Sequence, residues 1–264
     1  MSSLEGRRTF LKHALGGAAA CSLLTLNGGL QAQDAGRPNI LFIMVDDLRP
    51  ALGCYGDPVA KTPNMDRLAQ QGIVFERTFC QYPVCGPTRA GTLAGARPTR
   101  ERFSLIGGHP YACKDMPNAP TLGEHFKNHG YTSISNGKVF HHADDSLEAW
   151  SEPPWRADPM YAVWVKPENK EFKARRRLVE DTRRLRWRGP AWEAGDVLDD
   201  AYPDGVNAEK HMKDLKRLAA EDKPFILFAG FEKPHLPFNC PKKYWDLYDL
   251  EEIQLADNMF LPKN

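Results

Sequence analysis

The stretch from Asn39 to Val45 is a continuous apolar run, rich in Ile, Leu, Phe and Val, that stops abruptly at Asp46-Asp47. A strand without hydrophobic-polar alternation has no solvent face, so this run is expected to be buried on both sides. Helical patterns alternate with further strand patterns along the chain. Thr62 reads as a cap, Pro63 as the first helical position and Gly72 as the residue past the end. Thr121 and Glu124 have capping-box spacing for a second helix running to Gly130, and Tyr131 to Ser135 reads as the next strand. A long helical pattern from Val206 to Glu221 passes through Lys223-Pro224 into an apolar strand from Phe225 to Gly230. The class is α/β, with no internal repeat and no long low-complexity segment.

Residues 1–36 stand apart from this pattern. Gly6-Arg7-Arg8-Thr9-Phe10-Leu11-Lys12 precedes an apolar run of small residues from Ala14 to Leu26, which reads as a twin-arginine export signal followed by a linker, with cleavage near Ala32. The run is short for a bilayer span and is interrupted or bordered by glycines. Ala18-Ala19-Ala20 before Cys21 is a poor lipoprotein match, so Cys21 is not read as a lipid acceptor. The expected location is outside the cytoplasm, periplasmic or extracellular, with the twin-arginine translocon as a partner. The 264 residues carry 35 Lys and Arg against 34 Asp and Glu, a balance that gives no electrostatic footprint for nucleic acid.

Chemistry in open α/β sheets gathers beyond the carboxyl ends of strands. Three such ends carry candidates here: Asp46-Asp47, then Gly137-Lys138-Val139-Phe140-His141, then Lys233-Pro234-His235-Leu236-Pro237. Between them lies Cys85-Gly86-Pro87-Thr88-Arg89, with Leu93 and Gly95 eight and ten residues after Cys85. Pro87 suits the first turn of a helix, which would hold Arg89 one turn beyond Cys85. Taken alone, the pentapeptide could equally be a structural Cys beside an ordinary helix start. Cys54, Cys80, Cys113 and Cys240 allow three pairings if all are oxidised and none if reduced, and no two have the Cys-x-x-Cys spacing of a zinc site.

An apolar strand ending in Asp-Asp, then Cys-x-Pro-x-Arg, Gly-Lys-x-x-His and Lys-Pro-His-x-Pro, resembles the type I, formylglycine-dependent sulfatase family, and within it most the iduronate-2-sulfatase branch. The similarity runs from about Arg37 to the C-terminus, with Thr88 and Ala94 replacing the more usual Ser and Thr. The resemblance implies an alkaline-phosphatase-like fold, a large mixed sheet between helices. It implies that Cys85 is oxidised to formylglycine by a maturation enzyme, and that Asp46, Asp47 and the modified residue 85 hold a divalent metal, with calcium expected and magnesium the alternative. It further implies that Arg89 holds the nucleophile, that Lys138 and His141 contact sulfate and the formylglycine hydroxyl, and that His235 protonates the leaving group or contacts sulfate. His142 adjoins His141, but the Lys-x-x-His spacing selects His141. Twin-arginine export, which carries folded proteins, suits an enzyme matured in the cytoplasm.

The family's later Asp-His or Asp-Asn pair and a further Lys are not matched. Asp257-Asn258 follows polar residues rather than a buried strand, so residues 37–264 are read as the N-terminal part of a catalytic domain, incomplete and inactive alone. The expected activity is hydrolysis of a sulfate ester on a uronic acid or another sugar of a sulfated glycan. The alternatives are a phosphodiester or phosphonate monoester hydrolase of the same superfamily, or a non-catalytic glycan-binding remnant. The basic segment from Lys173 to Arg188 is read as a salt-bridged, solvent-facing helix, with polyanion binding as the alternative. The tryptophans between Trp150 and Trp192 are read as packing residues, with sugar stacking as the alternative.

Overall fold

A computed structural model describes residues 36–158, 163–177 and 189–253. The twin-arginine segment, residues 178–188 of the basic stretch, Trp187 and Asp257-Asn258 lie outside the described residues. The strands are β1 (Ile40–Val45), β2 (Thr132–Asn136), β3 (Trp192–Gly195), β4 (Phe225–Phe231) and β5 (Phe238–Pro241). The principal helices are α1 (Pro63–Gln71), α2 (Cys85–Ala94), α3 (Leu122–Asn128), α4 (Pro167–Arg177) and α5 (Pro203–Ala219).

The central sheet is parallel, in the order β1-β4-β2, with Ile40 opposite Ile226 and Thr132 opposite Phe225. β4 lies between the other two strands, and helices cover both of its faces. Its Ile226 and Phe228 pack with Ala90 and Leu93 of α2 and with Leu122 and Phe126 of α3. On the other face, Phe225 and Leu227 pack with Ile134 of β2 and with Leu215 and Leu218 of α5. Pro203 at the first position of α5 sets its start three residues before the sequence pattern begins. β3 and β5 form a second, two-stranded parallel pair.

β1 departs from expectation. Ile40, Phe42 and Met44 pack on the core, but Leu41 and Ile43 are 45% and 51% exposed. Among the described residues β1 pairs only with β4, and α5 packs against β2 and β4. The helix starts at Thr62 and Thr121 also differ in detail, since neither side chain caps its helix. The Thr62 hydroxyl accepts from the Gly53 N–H at 2.9 Å and donates to Asp66 at 3.0 Å, tying α1 to the loop before it. The four candidate disulfide cysteines are all unpaired. Trp150 and Trp164 are buried packing residues, and Trp192 stacks on Trp245.

Candidate active site

Three parallel strands deliver their carboxyl ends to one side of the sheet, and the N-terminal turn of α2 meets them there. At the end of β1, the Asp46 N–H still donates to Phe231 O at 3.1 Å. Asp47 then adopts a left-handed backbone, φ 56°, which breaks the strand alternation and leaves its carboxylate half-exposed. Beyond β2, Gly137 takes φ 72°, where a Cβ would fall well inside contact with Gly230 O. A Cβ on Gly230 would likewise strike the Lys138 backbone. The two glycines let the ends of β2 and β4 cross closely, and that crossing drives Lys138 into the interior.

Asp46, Arg89 and Lys138 form a buried triad, each under 5% exposed. Arg89 Nη2 donates to Asp46 Oδ1 at 3.0 Å, and Lys138 Nζ donates to Oδ2. Arg89 Nη1 also donates to the carbonyls of Lys138 and Val139. Burial alone would raise the Asp46 carboxyl, but Arg89 and Lys138 outweigh it and hold the group below its ordinary range. The triad brings two cationic side chains to one carboxylate.

Cys85 opens α2, and its Sγ lies 3.5 Å from His141 Nδ1. Burial, reinforced by the neighbouring His109, Lys138 and His142, pushes the His141 imidazole down to about 4, so it is neutral at physiological pH. His142 points elsewhere and stacks on Tyr111 at 3.9 Å. His235 Nε2 lies 3.8 Å from Asp47 Oδ2. The contacts described join the site residues as the triad, the Cys85–His141 pair and the Asp47–His235 pair. Adjacent hard carboxylates at a strand end are the donor chemistry of an oxygen-liganded divalent cation, and Asp46 and Asp47 fit it. Both Asp46 oxygens already meet cationic side chains, so an ion would share that carboxylate with Arg89 and Lys138.

A sequence model of the Sulfatase family matches residues 38–259. The chain belongs to the sulfatase family. It is 35% identical to mouse iduronate 2-sulfatase over 253 residues, and 37% identical to the human enzyme over 240 residues. These alignments take in 93% and 85% of this chain but only 43% and 40% of those proteins, so the chain spans about two fifths of their length. A phosphonate monoester hydrolase of Agrobacterium radiobacter aligns with TM-score 0.55 at 20% identity, over 84% of this chain and 46% of that one. A putative sulfatase of Bacteroides thetaiotaomicron aligns with TM-score 0.50 at 24% identity, over 76% and 36%. The fold is alkaline-phosphatase-like, of which the described residues form part. Sulfatases are generally dependent on formylglycine and a metal.

Several residues around the site carry no motif that sequence could have flagged. His109 stacks on His141, with ring centroids 3.8 Å apart. Arg156 donates to the carbonyls of Phe140, His141 and His142 and so clamps the loop that carries His141. Asp204, in the first turn of α5, accepts from the N–H groups of Glu232 and Lys233 and fixes the end of β4. Glu232 is fully buried, and neither of its carboxyl oxygens has a hydrogen-bond partner. Burial and then Asp204 push its carboxyl up to about 8, against the pull of Lys233, Lys138 and Arg156. A lone Glu next to Lys233 gave no sign in the sequence that it would be enclosed.

Proposed function

We propose that the protein hydrolyses a sulfate ester, on a uronic acid or another sugar of a sulfated glycan, through a formylglycine made from Cys85. The observation that carries this reading is the position of Cys85 at the start of the helix that also carries Arg89 of the Asp46–Arg89–Lys138 triad, with its Sγ 3.5 Å from a neutral His141. The 35–37% identity to iduronate 2-sulfatases supports the sugar-sulfate class. Once formed, the formylglycine hydrate would supply one hydroxyl as the nucleophile toward sulfur and a second to release inorganic sulfate. Asp46, Asp47 and residue 85 would hold a divalent cation, calcium in this reading, which would lower the pKa of the attacking hydroxyl.

The chain's own residues supply the rest. His141, neutral and beside residue 85, accepts the proton that the nucleophile loses. Lys138 and Arg89 hold fixed positive charge where negative charge grows on the sulfate oxygens, and burial strengthens their effect because no water must reorganise. His235, half-buried across from Asp47, is placed to give a proton to the departing sugar oxygen. A maturation enzyme acting in the cytoplasm, and export through the twin-arginine translocon directed by Arg7 and Arg8, complete the proposal.

The test uses protein recovered from the exported fraction of its own host. The tryptic peptide Thr78 to Arg89 is expected to carry an aldehyde at Cys85, and the protein to release sulfate from a sulfated uronic acid. Cys85→Ala is expected to lose turnover by several orders of magnitude. An unmodified thiol in active exported protein would remove the mechanism, and faster turnover of phosphate or phosphonate esters than of sulfate esters would overturn the substrate class.

A further inference from the structure

Cys85, His109 and His141 come from three separate segments, with His109 and His141 lying 24 and 56 residues after Cys85. Their ligand atoms all lie within 4.8 Å of one another. Among the described residues no other trio of His, Cys, Asp or Glu is found to converge in this way. The reading above uses Cys85 only after its sulfur has gone, and it gives His109 no task. The unmodified chain therefore presents a thiol and two imidazoles that the sulfatase chemistry does not explain as a group.

We propose that, while Cys85 is still a thiol, Cys85, His109 and His141 bind a thiophilic transition-metal ion of the Zn2+ type. Across a tetrahedral ion with Zn–S about 2.3 Å and Zn–N about 2.0 Å, sulfur and nitrogen stand about 3.5 Å apart. Cys85 Sγ and His141 Nδ1 are already at 3.5 Å. His109 supplies the third ligand and water the fourth. Binding displaces the Cys85 thiol proton to solvent and uses the free lone pair of each imidazole.

The local backbone allows His109 to approach. Gly86 follows Cys85, and a Cβ there would overlap His109 Nδ1, so the absence of a side chain makes room for the ring. His142 lies 3.1 Å from the His109 carbonyl oxygen, which holds the His109 backbone at the site. The two imidazole planes are now inclined by 23°. They must open further for both nitrogens to meet one ion, a change in side-chain torsion that leaves the backbone in place.

This site differs in kind from the carboxylates at Asp46 and Asp47. Sulfur and imidazole select Zn2+ or similar ions, whereas carboxylate oxygens select Ca2+ or Mg2+. Conversion of Cys85 to an aldehyde removes the sulfur and abolishes the soft site. The proposal concerns the thiol form alone, so it stands or falls independently of the sulfatase reading.

The experiment uses intact protein made in a host without the maturation activity, with the Cys85 thiol confirmed by peptide mass. Titration with Co2+, a spectroscopic stand-in for Zn2+, is expected to give one equivalent with a thiolate-to-metal charge-transfer band and tetrahedral ligand-field bands. Zn2+ should displace it and Ca2+ should not. Cys85→Ser is expected to lose the charge-transfer band, and His109→Ala to weaken Co2+ at least tenfold. His109→Asn serves if the alanine variant fails to fold by circular dichroism. The proposal is overturned if wild-type protein shows no charge-transfer band, if the band survives in Cys85→Ser, or if affinity is unchanged when His109 is replaced.

Discussion

Asp46 is held by two cations and exposed to almost no solvent, so its charge is the counterweight on which Arg89 and Lys138 depend. Removing one member of a buried ionic group leaves the others uncompensated, at a cost of about 3–5 kcal/mol. Asp46→Asn keeps the shape and removes the charge. It is expected to destabilise the protein by about that amount in chemical unfolding measured with chelator present, whereas a change below about 1 kcal/mol, the range of exposed pairs, would show that the triad is solvated. The position of Asp46 at the end of a strand was legible from an apolar run ending in two acids. Its partners were not, because Arg89 and Lys138 lie 43 and 92 residues away and no local pattern announces which cation will reach it. For the same reason the sequence pointed to His141 and passed over His109, which has no motif and meets Cys85 only through the loop between α2 and α3.

At the scale of elements, the end of β2 is built by the crossing of Gly137 and Gly230. The left-handed backbone of Gly137 costs an alanine about 1–2 kcal/mol, and displacement of Gly230 O by the new Cβ adds to it. Gly95, at the end of α2, is also left-handed, with φ 63°, but a Cβ there meets nothing within 4 Å. Gly137→Ala is therefore expected to lose clearly more stability than Gly95→Ala, and also to lose turnover by displacing Lys138. Equal losses in parallel unfolding curves would reduce the crossing to ordinary backbone strain. The helices and strands themselves were largely legible, since β2, β4 and α5 fall within a few residues of their patterns. Capping was less so. Thr62 stands at its helix start but turns its hydroxyl to Gly53 and Asp66, and the buried Thr121 hydroxyl finds no partner.

Over the whole molecule, a sheet covered by helices was legible because apolar runs without alternation demand cover on both faces, and β4 has it; the parallel pairing of its strands comes from the structure. β1 reads the same way, yet Leu41 and Ile43 are exposed among the described residues, because strand order is set by pairing over long separations that composition does not encode. The balance of charge with pH is a second property that emerges only from the assembled site. His141 is depressed from its ordinary 6.5 to about 4, so the unfolded chain binds more protons between those values and stability rises with pH across that window. Glu232 works in the opposite sense. Its folded value is raised from 4.5 to about 8, so the native state binds more protons between those values and stability falls as pH rises through them. The two oppose each other from 4.5 to 6.5, and above 6.5 only the Glu232 slope of this pair remains. Thermal unfolding is thus expected to show the melting temperature declining from pH 6.5 to 8. Glu232→Gln, neutral throughout, should flatten that decline while leaving the rise between pH 4 and 4.5 in place, so that the variant gains several degrees on the wild type by pH 8. Melting curves that run parallel across the range would mean that Glu232 ionises as an ordinary surface carboxyl, and that the enclosure at the end of β4 is open to water.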